Sequence, residues 1–217
     1  MKHVVIIGAG GHGREVVEII RHQAQSQNGP TLLGFVVDSE YLAESGDPGA
    51  PILGDWTWFK KADREELAVI CAVGDPAVRK RLVEKGQSLG LVFTNAISPS
   101  AHIVSDAKFG NGVMIFPQAV VSRNVRLADH TVVNAGSTLS HDTSVECYAT
   151  IGPGVHLAGN VSVGEGCYLG VGSSVIQNVS IGAWAIIGAG AAVTSDIPDR
   201  VTAAGVPARI IKGIQPA

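Results

Sequence analysis

The stretch "NVRLADHTVVNAGSTLSHDTSVECYATIGPGV", residues 124–155, repeats itself every six residues. An aliphatic residue returns at each sixth position: Leu127, Val133, Leu139, Val145 and Ile151. Four residues after each of them comes a small or β-branched residue. A six-residue repeat with one large and one small inward-facing position is typical of a parallel β-helix, whose coils stack on one another. Three such repeats form one three-sided coil, so residues eighteen apart are expected to lie in one column.

The same frame extends well beyond this stretch. It begins at Ile97 and continues without a slip to Val193, and the residue at every sixth position is aliphatic except for Phe109. Glycine, asparagine and aspartate cluster beside these positions, where corners require unusual backbone angles. We therefore predict a β-helix domain over residues 97–217, ending in a short helix or loop that caps the last coil.

Residues 1–96 follow a different pattern, in which strand-like and helix-like segments alternate. The predicted strands are "HVVIIGAG" (3–10), "TLLGFVVD" (31–38), "ELAVICAVGD" (66–75) and "LVFTNAI" (91–97), and the predicted helices are "GREVVEIIRHQAQ" (13–25) and "PAVRKRLVEKGQSLG" (76–90). A loop rich in glycine, proline and aspartate is expected over 39–54. Alternating strands and helices predict an α/β, Rossmann-like domain with a parallel sheet.

Composition excludes several classes of function. The net charge is −3 and no stripe of lysine and arginine is present, which argues against nucleic acid as a partner. No apolar stretch approaches the length of a membrane span, and the apolar run at the N-terminus is too short for a signal peptide. The three cysteines, Cys71, Cys147 and Cys167, fit neither a zinc site nor a disulfide framework. We therefore expect a cytoplasmic protein with reduced thiols and no metal.

The histidine–aspartate pair in "LSHDTS" (139–144) is the candidate catalytic group. His141 is the third residue of its repeat and is expected to point outward or into a corner. In eighteen-residue columns it lies between Arg123 and Gly159, so the next coil leaves space beside its ring. Asp142 follows directly and can fix the ring tautomer, as a general base requires. The alternative is an ordinary surface histidine.

A glycine-rich motif, G-x-G-x-x-G, spans Gly8–Gly13 between a predicted strand and a predicted helix. Read alone, with Asp38 at the end of the second strand, the motif fits NAD. The domain is short for a dinucleotide fold, however, and no domain for a hydride acceptor follows it. We expect the pyrophosphate of a nucleotide-linked sugar here, because such a turn at a helix N-terminus binds any pyrophosphate. The candidate substrate-binding residues are Gly10, Gly11, His12, Gly13 and, near the nucleoside, Asp38. His12 could instead simply cap the helix.

The repeat array, "SHD" (140–142), the tail "AAGVPARIIKG" (203–213) and "IIGAGGHGREVVEII" (6–20) together resemble the left-handed β-helix acyltransferases. Within them, the chain is similar to the sugar acetyltransferases of the sialic-acid, bacillosamine and perosamine types. This resemblance implies a left-handed helix, a homotrimer with active sites between neighbouring prisms, and acetyl-CoA in the groove. It also implies that His141 is the general base and that Asp142 raises its basicity. Family members often carry a second histidine nine residues later, near the thioester, where this chain has Thr150.

The late coils and the tail contain the other candidate contacts to acetyl-CoA. Glycines can let the pantetheine approach the backbone, and tail cations can meet the phosphates, although the two charges could merely be solvated. These candidates are Gly159, Gly170, Gly172, Arg209 and Lys212.

We therefore expect an acetyl-CoA-dependent N-acetyltransferase that acts on a nucleotide-linked 4-amino-4,6-dideoxyhexose of the perosamine or bacillosamine type. The alternatives are a sialic acid O-acetyltransferase, which needs no nucleotide, and a non-catalytic binding protein built on the same prism.

Overall fold

The computed structural model describes residues 3–25, 29–42 and 49–214. The chain forms two compact units. The first contains the chain up to Gly74 together with Val78–Pro99, and the second contains Asp75–Ala77 and the chain from Ser100 onward.

The first unit is a four-stranded parallel sheet with two helices. Its elements are β1 (His3–Ile7), α1 (Gly11–Ala24), β2 (Thr31–Val36), a 3-10 turn (Ser39–Tyr41), β3 (Ile52–Gly54), a second 3-10 turn (Trp56–Lys60), β4 (Leu67–Cys71), α2 (Pro76–Ser88) and the two-residue β5 (Ala96–Ile97). The strand order is β3-β2-β1-β4, and every pair is parallel. The chain therefore leaves β1 towards β2 on one side and returns to β4 on the other.

Helix α1 forms because its apolar residues return at helical spacing and cover the sheet. Val16, Val17, Ile19 and Ile20 are all buried, while the charged residues between them face solvent. Gly13 lets the helix approach β1 closely, since a Cβ there would collide with the carbonyl oxygen of Gly8. The Rossmann-like first domain predicted from the sequence is confirmed in its sheet, its helices and its glycine turn.

Two local predictions in this unit are wrong. Residues 91–97 do not form a full strand, because the segment bridges β4 only between Phe93 and Val69 before β5 begins. The predicted loop 39–54, of which residues 43–48 lie outside the described residues, contains β3 at its end, which was hidden by the proline and glycines of this segment. Gly34 makes that strand possible, because a Cβ there would collide with the carbonyl oxygen of Pro51, which bonds the Phe35 N–H.

The second unit is a prism of short parallel strands with three faces. Face 1 contains β7 (Lys108–Phe109), β10 (Arg126–Leu127), β13 (Ser144–Val145), β16 (Ser162–Val163) and β19 (Ser180–Ile181). Face 2 contains β8 (Met114–Ile115), β11 (Val132–Val133), β14 (Thr150–Ile151), β17 (Tyr168–Leu169), β20 (Ile186–Ile187), β22 (Val201–Ala204) and β23 (Arg209–Gly213). Face 3 contains β6 (His102–Ile103), β9 (Val120–Val121), β12 (Thr138–Leu139), β15 (His156–Leu157), β18 (Ser174–Val175) and β21 (Ala192–Val193).

The coils stack with the predicted register. Thr138 pairs with His156 and Leu139 with Leu157, eighteen residues apart, and the other parallel pairs from β6 to β21 repeat this offset. The second residue of each strand points inward, and Leu139 and Leu157 are 1% exposed. Corners adopt left-handed backbone angles at residues such as Asn124, which explains why asparagine, aspartate and glycine recur there.

The C-terminal cap differs from the expected short helix or loop. Strands β22 and β23 form an antiparallel hairpin, and β22 continues face 2 by pairing with β20. Its edge strand β23 is exposed throughout.

All three cysteines are free. Burial raises the pKa of the Cys71 thiol to about 12 and that of Cys167 to about 11, which makes both thiols unreactive. Within residues 3–25, 29–42 and 49–214, no group of three metal-binding side chains comes together. Over the same residues, no helix is long and apolar enough to cross a bilayer.

Candidate active site

His141 lies at a corner of the prism, in the turn between β12 on face 3 and β13 on face 1. Its side chain is 66% exposed, and that of Asp142 is 49% exposed. The neighbouring coils hold the turn from both sides, because the Asp142 N–H donates to the Arg123 carbonyl at 3.0 Å and the Asn160 N–H donates to the His141 carbonyl at 2.9 Å. The two side chains are therefore accessible, and backbone hydrogen bonds to the neighbouring coils hold their main chain in place.

The two side chains form a dyad. Nδ1 of His141 lies 2.8 Å from Oδ2 of Asp142. A hydrogen bond from the Asn124 side chain, and then the contact with His141, hold the pKa of Asp142 below its ordinary value. The carboxylate therefore stays ionised and accepts a hydrogen bond from the N–H at Nδ1, so the lone pair lies on Nε2. A neutral imidazole in this tautomer can accept a proton from a bound nucleophile.

Gly159 provides the space beside the ring that the eighteen-residue column predicts. A Cβ at this position would lie 2.5 Å from Cε1 and 2.6 Å from Nε2 of His141. Because no side chain fits there, the ring rests against the backbone of the next coil.

The glycine turn of the first unit offers an open helix N-terminus. Gly10 is the N-cap residue of α1 and carries no side chain to bond the first-turn N–H groups, and the first turn holds no acidic residue. A Cβ on Gly10 would meet nothing within 4 Å, and one on Gly11 would meet only the Arg14 side chain at 3.9 Å. Gly13 instead packs against Gly8, so Gly10 and Gly11 are the positions open to a ligand.

This helix start also lies at the switch point of the sheet. Strands β1 and β4 are neighbours whose connections leave in opposite directions, and ligands of open α/β sheets bind at this crevice. A Cβ on Gly8 would lie 3.0 Å from the Val73 side chain, so the loops after β1 and β4 are adjacent. The buried Arg79 holds the second loop by donating to the carbonyls of Val73 at 2.7 Å and Gly74 at 3.0 Å.

His12 lies in the first turn of α1 and is largely buried. Burial, and then the positive charge of Arg79, lower its pKa to about 4. The ring is therefore neutral at physiological pH. A neutral imidazole can donate one hydrogen bond to a ligand and accept another, and it adds no charge beside the helix N-terminus.

Asp38, predicted to close the second strand, instead follows the end of β2 at Val36 and lies at the same edge of the sheet. Its Oδ1 lies 2.8 Å from Nζ of Lys85, which also lies 4.2 Å above the centre of the Trp56 ring. Sequence reasoning missed Lys85 and Trp56. No signal could have found Lys85, because it lies on α2, 47 residues from Asp38.

The remaining candidates do not gather around His141 within one chain. Thr150 lies on face 2 and is 3% exposed. Gly170 is enclosed by the next coil, because a Cβ there would lie 2.7 Å from the Ala189 nitrogen. Gly172 is open, with a φ of +68° and nothing within 4 Å of an added Cβ, but it belongs to the corner between faces 2 and 3. Arg209 and Lys212 are exposed on β23.

Two family models match the chain. Residues 3–86 match the PglD N-terminal domain, and residues 142–177 match the bacterial transferase hexapeptide model of six repeats.

Individual relatives match over nearly the whole length. The UDP-N-acetylbacillosamine N-acetyltransferase of Bacillus subtilis is 48% identical over 99% of this chain and 98% of its own. PerB from Caulobacter crescentus, solved in complex with CoA and GDP-perosamine, is 35% identical, covers 98% of both chains and superposes with a TM-score of 0.88. The acetyltransferase domain of PglB from Neisseria gonorrhoeae, solved with acetyl coenzyme A, is 31% identical over 97% of this chain and 99% of its own, with a TM-score of 0.87.

These matches confirm the predicted fold class, an α/β Rossmann-like domain followed by a left-handed parallel β-helix. With 48% identity to one N-acetyltransferase and full-length superposition on another, the chain belongs to the hexapeptide-repeat nucleotide-sugar N-acetyltransferases of the bacillosamine and perosamine type.

Proposed function

We propose that this enzyme transfers the acetyl group of acetyl-CoA to the 4-amino group of a nucleotide-linked 4-amino-4,6-dideoxyhexose of the perosamine or bacillosamine type. The single observation that carries the proposal is the exposed dyad of His141 and Asp142, at 2.8 Å, set against the bare backbone of Gly159. The relatives act on, or are solved with, sugars of this kind. The product would enter the synthesis of a surface polysaccharide or glycan.

In the proposed mechanism, Nε2 of His141 is the general base. The sugar amine attacks the thioester carbonyl directly, and Nε2 takes the proton that the nitrogen loses as the new C–N bond forms. The tetrahedral intermediate then collapses, the C–S bond breaks, and the imidazolium returns the proton to the sulfur of CoA. Asp142 retains its own charge throughout, which holds the ring in its tautomer and stabilises the imidazolium.

The nucleotide of the substrate would bind to the first unit. The open N-terminus of α1 at Gly10 and Gly11 attracts a pyrophosphate through the N–H groups of its first turn and its dipole. His12, being neutral, can contact the phosphates or the sugar. Asp38 can accept from ribose hydroxyls. Gly13 belongs to the same turn. Because it has no side chain, it lets the start of α1 pack closely against Gly8.

The donor would approach the prism with its thioester beside His141. A single corner provides one wall only, because His141 is 66% exposed. We therefore include in the proposal a homotrimer in which a neighbouring prism closes each site. In that arrangement, candidate CoA contacts that lie away from His141 in one chain can face the dyad of another chain. They are Thr150, Gly170, Gly172, Arg209 and Lys212, with Gly159 beside the ring itself.

The proposal extends to a cytoplasmic location, where acetyl-CoA and activated sugars are available and free thiols persist.

The test is a screen of CoA release with UDP-, dTDP- and GDP-linked 4-amino sugars, followed by thiol detection and mass spectrometry of the product. Turnover of one of them, with a mass gain of one acetyl group on nitrogen, is the expected result. Efficient turnover of a free sialic acid with acetylation on oxygen would establish the O-acetyltransferase alternative instead. An absence of CoA release with every sugar would favour the non-catalytic binding protein.

A parallel titration tests the glycine turn. Nucleotide-sugars should bind the protein, whereas tight NADH binding without any binding of nucleotide-sugars would overturn the assignment of the first unit.

A further inference from the structure

The two carboxylate oxygens of Asp142 have different partners. Oδ2 faces Nδ1 of His141 at 2.8 Å, and Oδ1 lies 2.7 Å from Nδ2 of Asn124 on the preceding coil. Because an ionised carboxylate can only accept, the Asn124 atom at this distance must be the amide nitrogen. One donor on each oxygen fixes both the position and the rotation of the carboxylate.

Asn124 is itself held from the coil before it. Its backbone N–H donates to Oδ1 of Asp106 at 3.2 Å, and Nε of Arg123 lies 3.3 Å from Oδ2 of the same carboxylate. Its φ of 54° places its backbone in the left-handed region. A series of hydrogen bonds thus connects three successive coils, from Asp106 through Asn124 to Asp142.

We propose that Asn124 is a positioning residue for the dyad, which holds the Asp142 carboxylate so that Nδ1 of His141 keeps its proton and Nε2 stays basic. The proposal rests on the proposed role of His141 as general base. Asn124 bonds neither substrate nor donor in it, and acts only through Asp142.

The same column provides its own comparison. Nδ2 of Asn160 donates to Oδ1 of Asn178 at 2.8 Å, which repeats the amide contact one coil further on without a carboxylate or an imidazole. An amide contact of this kind therefore also forms away from the dyad, and of these two contacts the one between Asn124 and Asp142 reaches it. Asn178, at φ 61°, supplies a matched control position.

The decisive variant is Asn124→Gly, because glycine keeps the left-handed turn and removes only the amide. We expect kcat to fall about tenfold with little change in the KM of either substrate, as for the loss of an outer partner that orients a histidine. Asn178→Gly should retain the wild-type kcat. Thermal unfolding of both variants checks that the coils remain intact.

A second readout follows the ring itself. In protein labelled with ¹⁵N-histidine, the His141 resonances are identified by their absence in His141→Ala. In the wild type, we expect them to report the tautomer protonated at Nδ1. In Asn124→Gly, they should move towards a mixture of tautomers, whereas Asn178→Gly should leave them unchanged. A purely structural role for Asn124 would not move these signals.

A third variant, Asn124→Asp, places a second carboxylate against Asp142. The new negative charge adds to that of Asp106, and the positive charge of Arg123 offsets part of it. The added charge should stabilise the protonated imidazole of His141 and make it harder to deprotonate. The acid limb of the kcat/KM profile should then shift upward by about half a pH unit.

Normal kcat and unchanged histidine signals in Asn124→Gly would overturn this inference alone, provided that His141→Ala is inactive. Normal turnover of His141→Ala would instead show that the proposed base is wrong, and the inference would fall with it.

Discussion

Gly159 lies one coil beyond His141, and its Cα faces the imidazole so closely that a Cβ would stand 2.6 Å from Nε2. The ring therefore rests on peptide backbone on one side, while the Asp142 carboxylate holds it at Nδ1. Its orientation depends on the missing side chain as much as on the carboxylate. The two residues meet because they are eighteen residues apart, which is the offset between stacked coils. The six-residue repeat thus determines the surroundings of the proposed base.

Gly159→Ala should displace the ring without disturbing the coil. The φ of Gly159 lies outside the left-handed region, so alanine fits its backbone and only the contact with the imidazole changes. We expect kcat to fall at least tenfold, since a shift of about 1 Å in a catalytic group is costly. Gly213→Ala is the matched control, because an added Cβ there meets nothing within 4 Å. A higher KM for acetyl-CoA with unchanged kcat would contradict this account and assign Gly159 to pantetheine binding alone.

The dyad itself gives the largest predicted effect. His141→Ala or His141→Asn should lower kcat about a hundredfold or more, the usual range for losing a general base. Asp142→Asn should also lower kcat, because an amide that donates to Nδ1 favours the tautomer with its proton on Nε2. His156→Asn is the control, as this exposed histidine lies on face 3 and its Nδ1 is 2.9 Å from the Thr138 hydroxyl. Steady-state rates of CoA release measure all four, and near-normal turnover of His141→Ala would remove it from the mechanism.

The sequence predicted the prism well because each six-residue repeat corresponds to one side of a coil. A large aliphatic residue at every sixth position marks the inward side of each face, and eighteen residues per coil then place His141 beside Gly159. The cap could not be predicted in the same way. The segment after Val193 leaves the six-residue frame, and its hairpin forms because Thr202 and Ala203 continue the ladder of β20.

Contacts between distant elements of the first unit also escaped prediction. The glycine motif marks the N-terminus of α1, because its spacing reflects a local turn. The ion pair between Asp38 and Lys85 has no such local pattern, since it joins a residue that follows β2 to one on α2, 47 residues later. Strand β3 was missed because the proline at 51 and the glycine at 54 usually mark loops, whereas Gly34 on β2 allows the two strands to meet here.

Substitutions at this ion pair should affect nucleotide binding more than turnover. Asp38→Asn removes the charged acceptor proposed for the ribose, and Lys85→Gln removes the partner that orients it at 2.8 Å. Each should raise the Kd for the nucleoside diphosphate of the best substrate about tenfold, the effect of losing a hydrogen bond to a charged group. Calorimetry measures this, with Glu18→Gln as the control, because Glu18 pairs with Arg21 at 2.7 Å on the exposed side of α1. A Kd unchanged in both variants would place the nucleoside elsewhere.

The stability of the protein should depend on pH through His12. Burial, and then Arg79, lower its pKa from 6.5 to about 4 in the folded chain, while the unfolded chain keeps the ordinary value. Above pH 6.5 the ring is neutral in both states, so its contribution to stability is fully present. As the pH falls from 6.5 towards 4, the unfolded chain takes up a proton that the folded chain excludes, and stability is lost.

His12→Gln tests this directly, because glutamine keeps a polar side chain that does not titrate. The stability of the wild type relative to this variant should decrease between pH 6.5 and about 4, by at most about 3 kcal/mol. Unfolding midpoints at fixed protein concentration, taken at half-unit steps of pH, measure the difference. The groups that titrate elsewhere are common to both proteins and cancel. Glu15, whose Oε2 lies 3.7 Å from Nδ1, is the nearby carboxylate that could hold a charged ring. Parallel midpoints for the two proteins across this range would contradict this account, because they would mean that the pKa of His12 is the same in the folded and the unfolded chain.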